Sequence, residues 1–161
     1  MTGMEVVPLL ETLSLESLNA YIGNDWGSWG QQVDITQERV NAFADITGDH
    51  QFIHVDPSRA KAAGHSGTIA HGALLLSLLA CMRAPQFRVA EGISVKNVEG
   101  KYCFKRPVAV GETVHTRERM IKVQQIRGSF EAISQYEIHI LGGKKAAEGT
   151  LILYYCNPRP Q

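Results

Sequence analysis

The densest polar stretch of the chain runs Asp45-Ile46-Thr47-Gly48-Asp49-His50-Gln51-Phe52-Ile53-His54-Val55-Asp56. Asp49 directly follows a glycine suited to ending a helix, and His54 lies five residues on, across an expected loop from Asp49 to Val55. A loop can fold back and bring a carboxylate and an imidazole towards one point, which neither a straight helix nor a straight strand does at this spacing. Such a pair suits addition of water to a conjugated thioester. One group takes a proton from water as it attacks C3, and the other handles the proton delivered at C2. Imidazole is useful here because its unperturbed pKa lies near neutrality, and well-placed acid–base groups contribute ~10²–10⁴-fold each. The thioester oxygen gains negative charge in the enolate-like transition state, so amides at a helix N-terminus would stabilise it. His71-Gly72 opens a strongly apolar segment, which makes the Gly72 N–H the candidate donor, with a glycine allowing close approach of a ligand. The same residue types have plainer uses, a loop Asp as a cap and a loop His in packing, and spacing alone leaves both open.

The elements that must position these groups follow from periodicity and punctuation. Thr36 can cap a helix in which Val40, Phe43, Ala44 and Thr47 keep the i, i+3, i+4, i+7 spacing of one buried face, with Gly48 as its stop. Asp56 and Pro57 begin a second short helix over 57–63. Residues 71–83 are apolar nearly all round, so that helix is expected to lie inside the domain. Ahead of them, 9–22 reads as an amphipathic helix and 32–35 as a brief strand, while Trp26 and Trp29 are expected to anchor on the core. The second half reads as four long strands over 92–106, 112–124, 129–141 and 146–156, separated by glycine turns. A shift of apolar phase between Val95 and Val98 predicts a bulge. Helices followed by antiparallel strands argue for an α+β domain. One buried helix wrapped by a long curved sheet, the hot-dog arrangement, is a compact solution, although periodicity does not separate it from other α+β folds.

Further constellations carry less. His50 and His54 are four apart, but Gly48 and the expected loop argue against a helical metal site, and no HExxH is present. His71 can shape the oxyanion site or simply pack the helix end. Ser77 lacks the GxSxG elbow of a nucleophile; its hydroxyl either bonds back to a helix carbonyl or faces the site and orients Asp49. Lys61, Lys105 and Arg106 could meet phosphates of a ligand or be solvated surface. GxGxxG and GxxxxGK[ST] are absent, so nucleotide-cofactor chemistry has no support.

A chain of 161 residues suits one domain, taken as 1–161, and can bury a core without disulfides or structural metal. Sixteen basic and sixteen acidic residues balance, which argues against nucleic acid or an anionic membrane as partner. Cys81, Cys103 and Cys156 are odd in number with no CxxC, and are expected to be reduced and mostly buried. The N-terminal stretch carries Glu5, Glu11 and Glu16 rather than a basic region before an apolar one, and the run 73–82 is too short to span a bilayer. A cytoplasmic location is the expectation.

ADITGDHQFIHVDPSRA followed by GTIAHGALLLSLL resembles the hydratase signature of MaoC-like dehydratases and R-specific enoyl-CoA hydratases, closest to the nodulation-protein-N-like branch. The resemblance is strong over 35–79 and continues more weakly through Phe104-Lys105-Arg106-Pro107-Val108 and Val110-Gly111-Glu112. It implies a hot-dog fold, a homodimer, and syn hydration of a trans-2-enoyl-CoA to an (R)-3-hydroxyacyl-CoA without metal or redox cofactor. It also implies that Asp49 and His54 are the catalytic dyad and that Gly72 supplies an oxyanion-hole N–H. The family pattern has Asn-Pro between the dyad members. Here Gln51-Phe52 stands there, so the Gln51 amide is a candidate to hold the loop, and Phe52 to narrow the acyl pocket. An acyl-CoA thioesterase and a non-catalytic acyl-thioester-binding protein are the competing readings, since fold does not fix function.

Overall fold

A capping box sets where the first helix begins. Ser14 Oγ accepts the Ser17 N–H and Ser17 Oγ accepts the Ser14 N–H, each at 3.0 Å. The expected helix over 9–22 is therefore shorter. Leu9–Leu10 is a strand, β1, and helix α1 spans Leu15–Asn19. The structure, a computed structural model, describes residues 7–158, so Glu5 lies outside the described residues. Strand β2 is Val33–Asp34. Helix α2, Gln37–Thr47, starts where Thr36 Oγ1 accepts the Arg39 N–H and ends at Gly48, whose φ of 75° supplies the left-handed cap. Val40 and Ala44 are fully buried as expected, but Thr47 is exposed and its hydroxyl donates to the Phe43 carbonyl. The stretch expected to be loop contains a one-turn helix α3, Phe52–Val55. Helix α4, Pro57–Ala62, is capped by the Asp56 carboxylate, and α5 is Gly72–Met82.

The rest is sheet. A short strand β3, Arg88–Val89, pairs in parallel with β1. Strands β4 (Ser94–Phe104), β5 (Thr113–Ile126), β6 (Ser129–Ile140) and β7 (Lys144–Cys156) join β2 in one antiparallel sheet of order β2-β5-β6-β7-β4. Arg127-Gly128 and Gly142-Gly143 make the tight turns, all with positive φ. The expected bulge is found in β4 between Asn97 and Glu99.

The inward residues of β5, β6 and β7 form two apolar clusters. One joins Leu74, Leu75, Leu79 and Met82 of α5 to Val40, Val114, Ile138 and Leu151. The other joins Leu13 and Leu18 to Phe87, Met120, Phe130 and Leu153. Between them the inward register positions of β5 and β6 are polar, Thr116, Glu118 and Ser134, all buried. Arg83, capping α5, donates two hydrogen bonds to the Glu118 carboxylate at 2.8 and 3.0 Å.

Three expectations are corrected here. Helix α5 is not enclosed: Ala73, Ser77 and Ala80 are exposed along one stripe and Leu76 is half-buried. The sheet covers one side of the helix, and β4, at the sheet edge, is exposed from end to end, leaving Val95, Val98, Tyr102 and Phe104 open. Cys81 and Cys103 are exposed for the same reason, on the open side of α5 and on β4. Trp26 and Trp29 do not reach the core. They pack on the outer face of β5, where Arg117 lies over both rings at 4.9 and 4.6 Å and Trp29 stacks on His115 at 3.9 Å.

Candidate active site

Asp49 leaves the end of α2 directly after the left-handed Gly48. Its N–H reaches Thr47 Oγ1 and its carboxylate accepts the Gln51 N–H, both at 3.4 Å, and the residue is exposed. Helix α3 turns His54 inward, leaving it 7% exposed. His54 Nδ1 lies 2.8 Å from the Ile69 carbonyl. A carbonyl can only accept, so Nδ1 carries the hydrogen and Nε2 keeps a free lone pair. Two further bonds hold this arrangement. The Ile69 N–H donates to the Ile53 carbonyl at 3.0 Å, and Gln37 Nε2 donates to the His54 carbonyl at 2.8 Å. Gln37 Oε1 also accepts the buried Thr68 hydroxyl, so one side chain of α2 joins α3 to the segment leading into α5. Sequence reasoning missed Gln37 and Thr68. Only the proximity of Gln37 to the cap pointed to it, and that is a common surface position.

His71, the residue before α5, is 3% exposed and its Nε2 lies 2.9 Å from the Asp49 carbonyl, so Nε2 is the protonated nitrogen. Its ring stacks on His54 with centroids 3.8 Å apart and has Phe43 on its surface at 5.2 Å. His71 Nδ1 is buried without a hydrogen-bond partner. Asp49, His54 and His71 each offer one donor atom within 4.8 Å of the others, which makes them the group among the described residues able to hold a metal ion. His50 is not part of it and instead faces Asp45 at 3.6 Å.

Gly72 is the first residue of α5, where helical amides have no acceptor within the helix. The Phe104 ring roofs it so closely that a methyl group at Gly72 would meet Phe104 Cζ at 2.6 Å. His54, Ile69, Gly72, Leu75 and Phe104 line a cavity of about 350 Å³, with Lys105 and Arg106 on its rim. Lys105 is paired with Glu148 at 2.7 Å, and Arg106 donates to the Lys145 carbonyl. The bonds from Lys105 and Lys145 hold the Glu148 carboxyl down at about 2.

Asp49, His54, His71 and Gly72 are thus brought together. Ser77 takes the backbone alternative: its hydroxyl donates to the Ala73 carbonyl at 2.9 Å on the open stripe of α5. Gln51 contributes its backbone N–H to the loop, not its side-chain amide. Phe52 is half-buried beneath Arg59, whose guanidinium lies 4.8 Å from the ring centre. Lys61 is exposed.

The family model of the MaoC like domain matches residues 29–139, a span that contains Gln37, Asp49, His54, His71, Gly72 and Phe104. The chain belongs to the MaoC-like dehydratase family. The 3-hydroxyacyl-thioester dehydratase Z of Mycobacterium tuberculosis is 39% identical over 127 residues, covering 77% of this chain and 80% of that protein. Nodulation protein N of Rhizobium meliloti is 38% identical over 112 residues, covering 67% of this chain and 68% of that one. Among solved structures, an (R)-hydratase from A. caviae involved in PHA biosynthesis superposes with a TM-score of 0.66 at 25% identity, covering 83% of this MaoC-like chain and 97% of the hydratase. The hot-dog fold expected from the sequence is the fold of the protein. Family membership supports hydro-lyase chemistry, the addition or removal of water. No helix among the described residues is long and apolar enough to cross a membrane.

Proposed function

We propose that the protein adds water to a trans-2-enoyl-CoA to give an (R)-3-hydroxyacyl-CoA, and runs the reverse dehydration. The observation that carries this reading is the meeting of a free imidazole nitrogen and a helix N-terminus at one cavity, with the Asp49 carboxylate within 4.8 Å of the His54 imidazole. The Ile69 carbonyl takes the His54 Nδ1–H, so His54 Nε2 is the base. It removes a proton from water while the hydroxyl bonds to C3, and the C2=C3 electron pair moves onto the thioester oxygen. The Gly72 N–H receives that oxygen at the positive end of α5. The His54 imidazolium then returns the proton to C2 on the same face, which balances the addition. The Asp49 carboxylate orients the water and stabilises the imidazolium. No metal or redox cofactor takes part.

The reading extends to a homodimer. Strand β4 is an exposed edge with Val95, Val98, Tyr102 and Phe104 open beside the small-residue stripe of α5. Such an edge invites pairing, and a second copy, apolar in the same places, fits it. Sedimentation showing only monomer at working concentration would count against the dimer.

The test is loss of the conjugated-thioester absorbance when the purified protein meets crotonyl-CoA and a longer trans-2-enoyl-CoA. Turnover in the wild type, lost in Asp49→Asn and His54→Ala with melting temperatures kept, is the expected result. Wild-type turnover retained in both variants removes the dyad assignment. An unchanged absorbance with both substrates removes the hydratase reading, and release of free thiol would then favour a thioesterase.

A further inference from the structure

We propose that His71 is a positioning residue for the reaction, acting through the Asp49 backbone carbonyl and touching neither water nor thioester. The inference rests on the hydratase reading for its kinetic consequence, but its structural half stands alone. Asp49 is the most weakly held of the site residues. It follows a helix stop, it is exposed, and two of its own contacts, from its N–H to Thr47 and from the Gln51 N–H to its carboxylate, are both at the long limit of 3.4 Å. The 2.9 Å bond from His71 Nε2 to its carbonyl is the short one.

The donor end of that bond is buried and packed between two rings. His71 lies between the Phe43 ring of α2 and the His54 ring of α3, at 5.2 and 3.8 Å, and immediately precedes α5. Its ring therefore references the carboxylate to both the base and the oxyanion donor. Burial of the imidazole leaves Nδ1 without a partner. A buried lone pair with no donor carries a desolvation cost. An apolar side chain of similar size would avoid that cost, so packing alone does not call for imidazole here. The protonated Nε2 is what an apolar ring cannot supply.

Two substitutions separate the tether from the stack. His71→Phe keeps a flat ring against His54 and loses the donor. His71→Gln loses the aromatic ring and keeps an N–H able to reach the carbonyl. A misplacement of about 1 Å costs roughly 10²-fold in rate. In the hydration assay, His71→Phe is therefore expected to lose about 10–100-fold in kcat with KM nearly unchanged, and His71→Gln to recover most of it. The tether itself is read without substrate. Long-range ¹H–¹⁵N correlations should report the Nε2–H form of His71, and the Asp49 carbonyl ¹³C shift should move in the Phe variant and stay near wild type in the Gln variant. Wild-type kcat in His71→Phe overturns the proposal. A raised KM in both variants also overturns it, in favour of direct substrate contact. If the wild type hydrates nothing, the functional reading fails by itself, and the carbonyl shift still decides whether the tether exists; an unmoved shift in His71→Phe overturns the tether.

Discussion

Gly72→Ala separates the oxyanion donor from the stability of the fold. Gly72 has no left-handed φ, so alanine fits its backbone. The added methyl would meet Phe104 Cζ at 2.6 Å and Cε2 at 2.7 Å. Those atoms end a side chain that is 42% exposed on an edge strand, so the ring can swing away. Turning it off its rotamer costs ~0.5–1.5 kcal/mol, while alanine regains at most ~1 kcal/mol over glycine in a helix. The two nearly cancel, and the melting temperature should stay within about 4 °C of wild type for a chain this size. Activity behaves differently. The methyl and the displaced ring occupy the approach to the first amide of α5, and losing one oxyanion donor costs ~10²–10³ in kcat. The assay is enoyl-thioester absorbance under saturating substrate, with thermal melts in parallel. The double variant Gly72→Ala/Phe104→Ala removes the ring and should recover part of the loss. If Gly72→Ala keeps kcat within about threefold of wild type, under 1 kcal/mol of barrier, the α5 N-terminus is not where the oxyanion sits.

Replacing Gln37 by leucine strips the His54 carbonyl and the Thr68 hydroxyl of a shared partner; about 1–3 kcal/mol of stability should go, read by denaturant titration, and an unchanged midpoint would show that water takes over both bonds. Acid should weaken the fold through Glu137 and Glu148. Burial pushes the Glu137 carboxyl up, but the bonds from Lys145 and Arg117 outweigh it and leave it below the ordinary 4.5, while Glu148 is held at about 2. The folded chain thus favours their charged forms. The stability they add is full above 4.5 and fades as pH falls towards 2; Glu137→Gln/Glu148→Gln should flatten the melting temperature in that window, and an unaltered slope would discard these ion pairs as its source. Turnover should survive chelation, whereas added Zn²⁺ should inhibit by binding Asp49, His54 and His71; activity lost to EDTA would overturn the metal-free mechanism.

The sequence marked some elements better than others, for physical reasons. Thr36, Gly48, Asp56 and the glycine turns of the sheet act locally, and α2, α4 and the four long strands appear within a few residues of where they were expected. The helix expected over 9–22 shrank because Ser14 and Ser17 cap each other inside it, a reciprocal bond that competes with continuing the helix. Asp49 and His54 could be picked out because their spacing is tied to one chain stop. The Gln37–Thr68 bridge and the His71–Asp49 tether join residues 31 and 22 positions apart. Nothing in local composition marks Gln37 or Thr68 out from surface polar residues or pairs His71 with Asp49; only the way α2 and the turn after it meet residues 68–71, just ahead of α5, makes them partners. The open stripe of α5 was hidden for a related reason. Alanine and serine read as apolar or neutral in a pattern, and which side the sheet leaves uncovered is decided by strand order.

The polar seam of Thr116, Glu118 and Ser134 has a practical use for anyone modifying this protein. It divides the interior into a compartment that touches the site and one that does not, with Leu18, Phe87, Met120 and Leu153 in the latter. Effects of substitutions that share no partners usually add within ~0.3–0.5 kcal/mol. Repacking the remote compartment can therefore raise thermal tolerance while substrate range is altered separately at Phe104 and Leu75. Two libraries can be screened independently and then merged, with little expected interference between them.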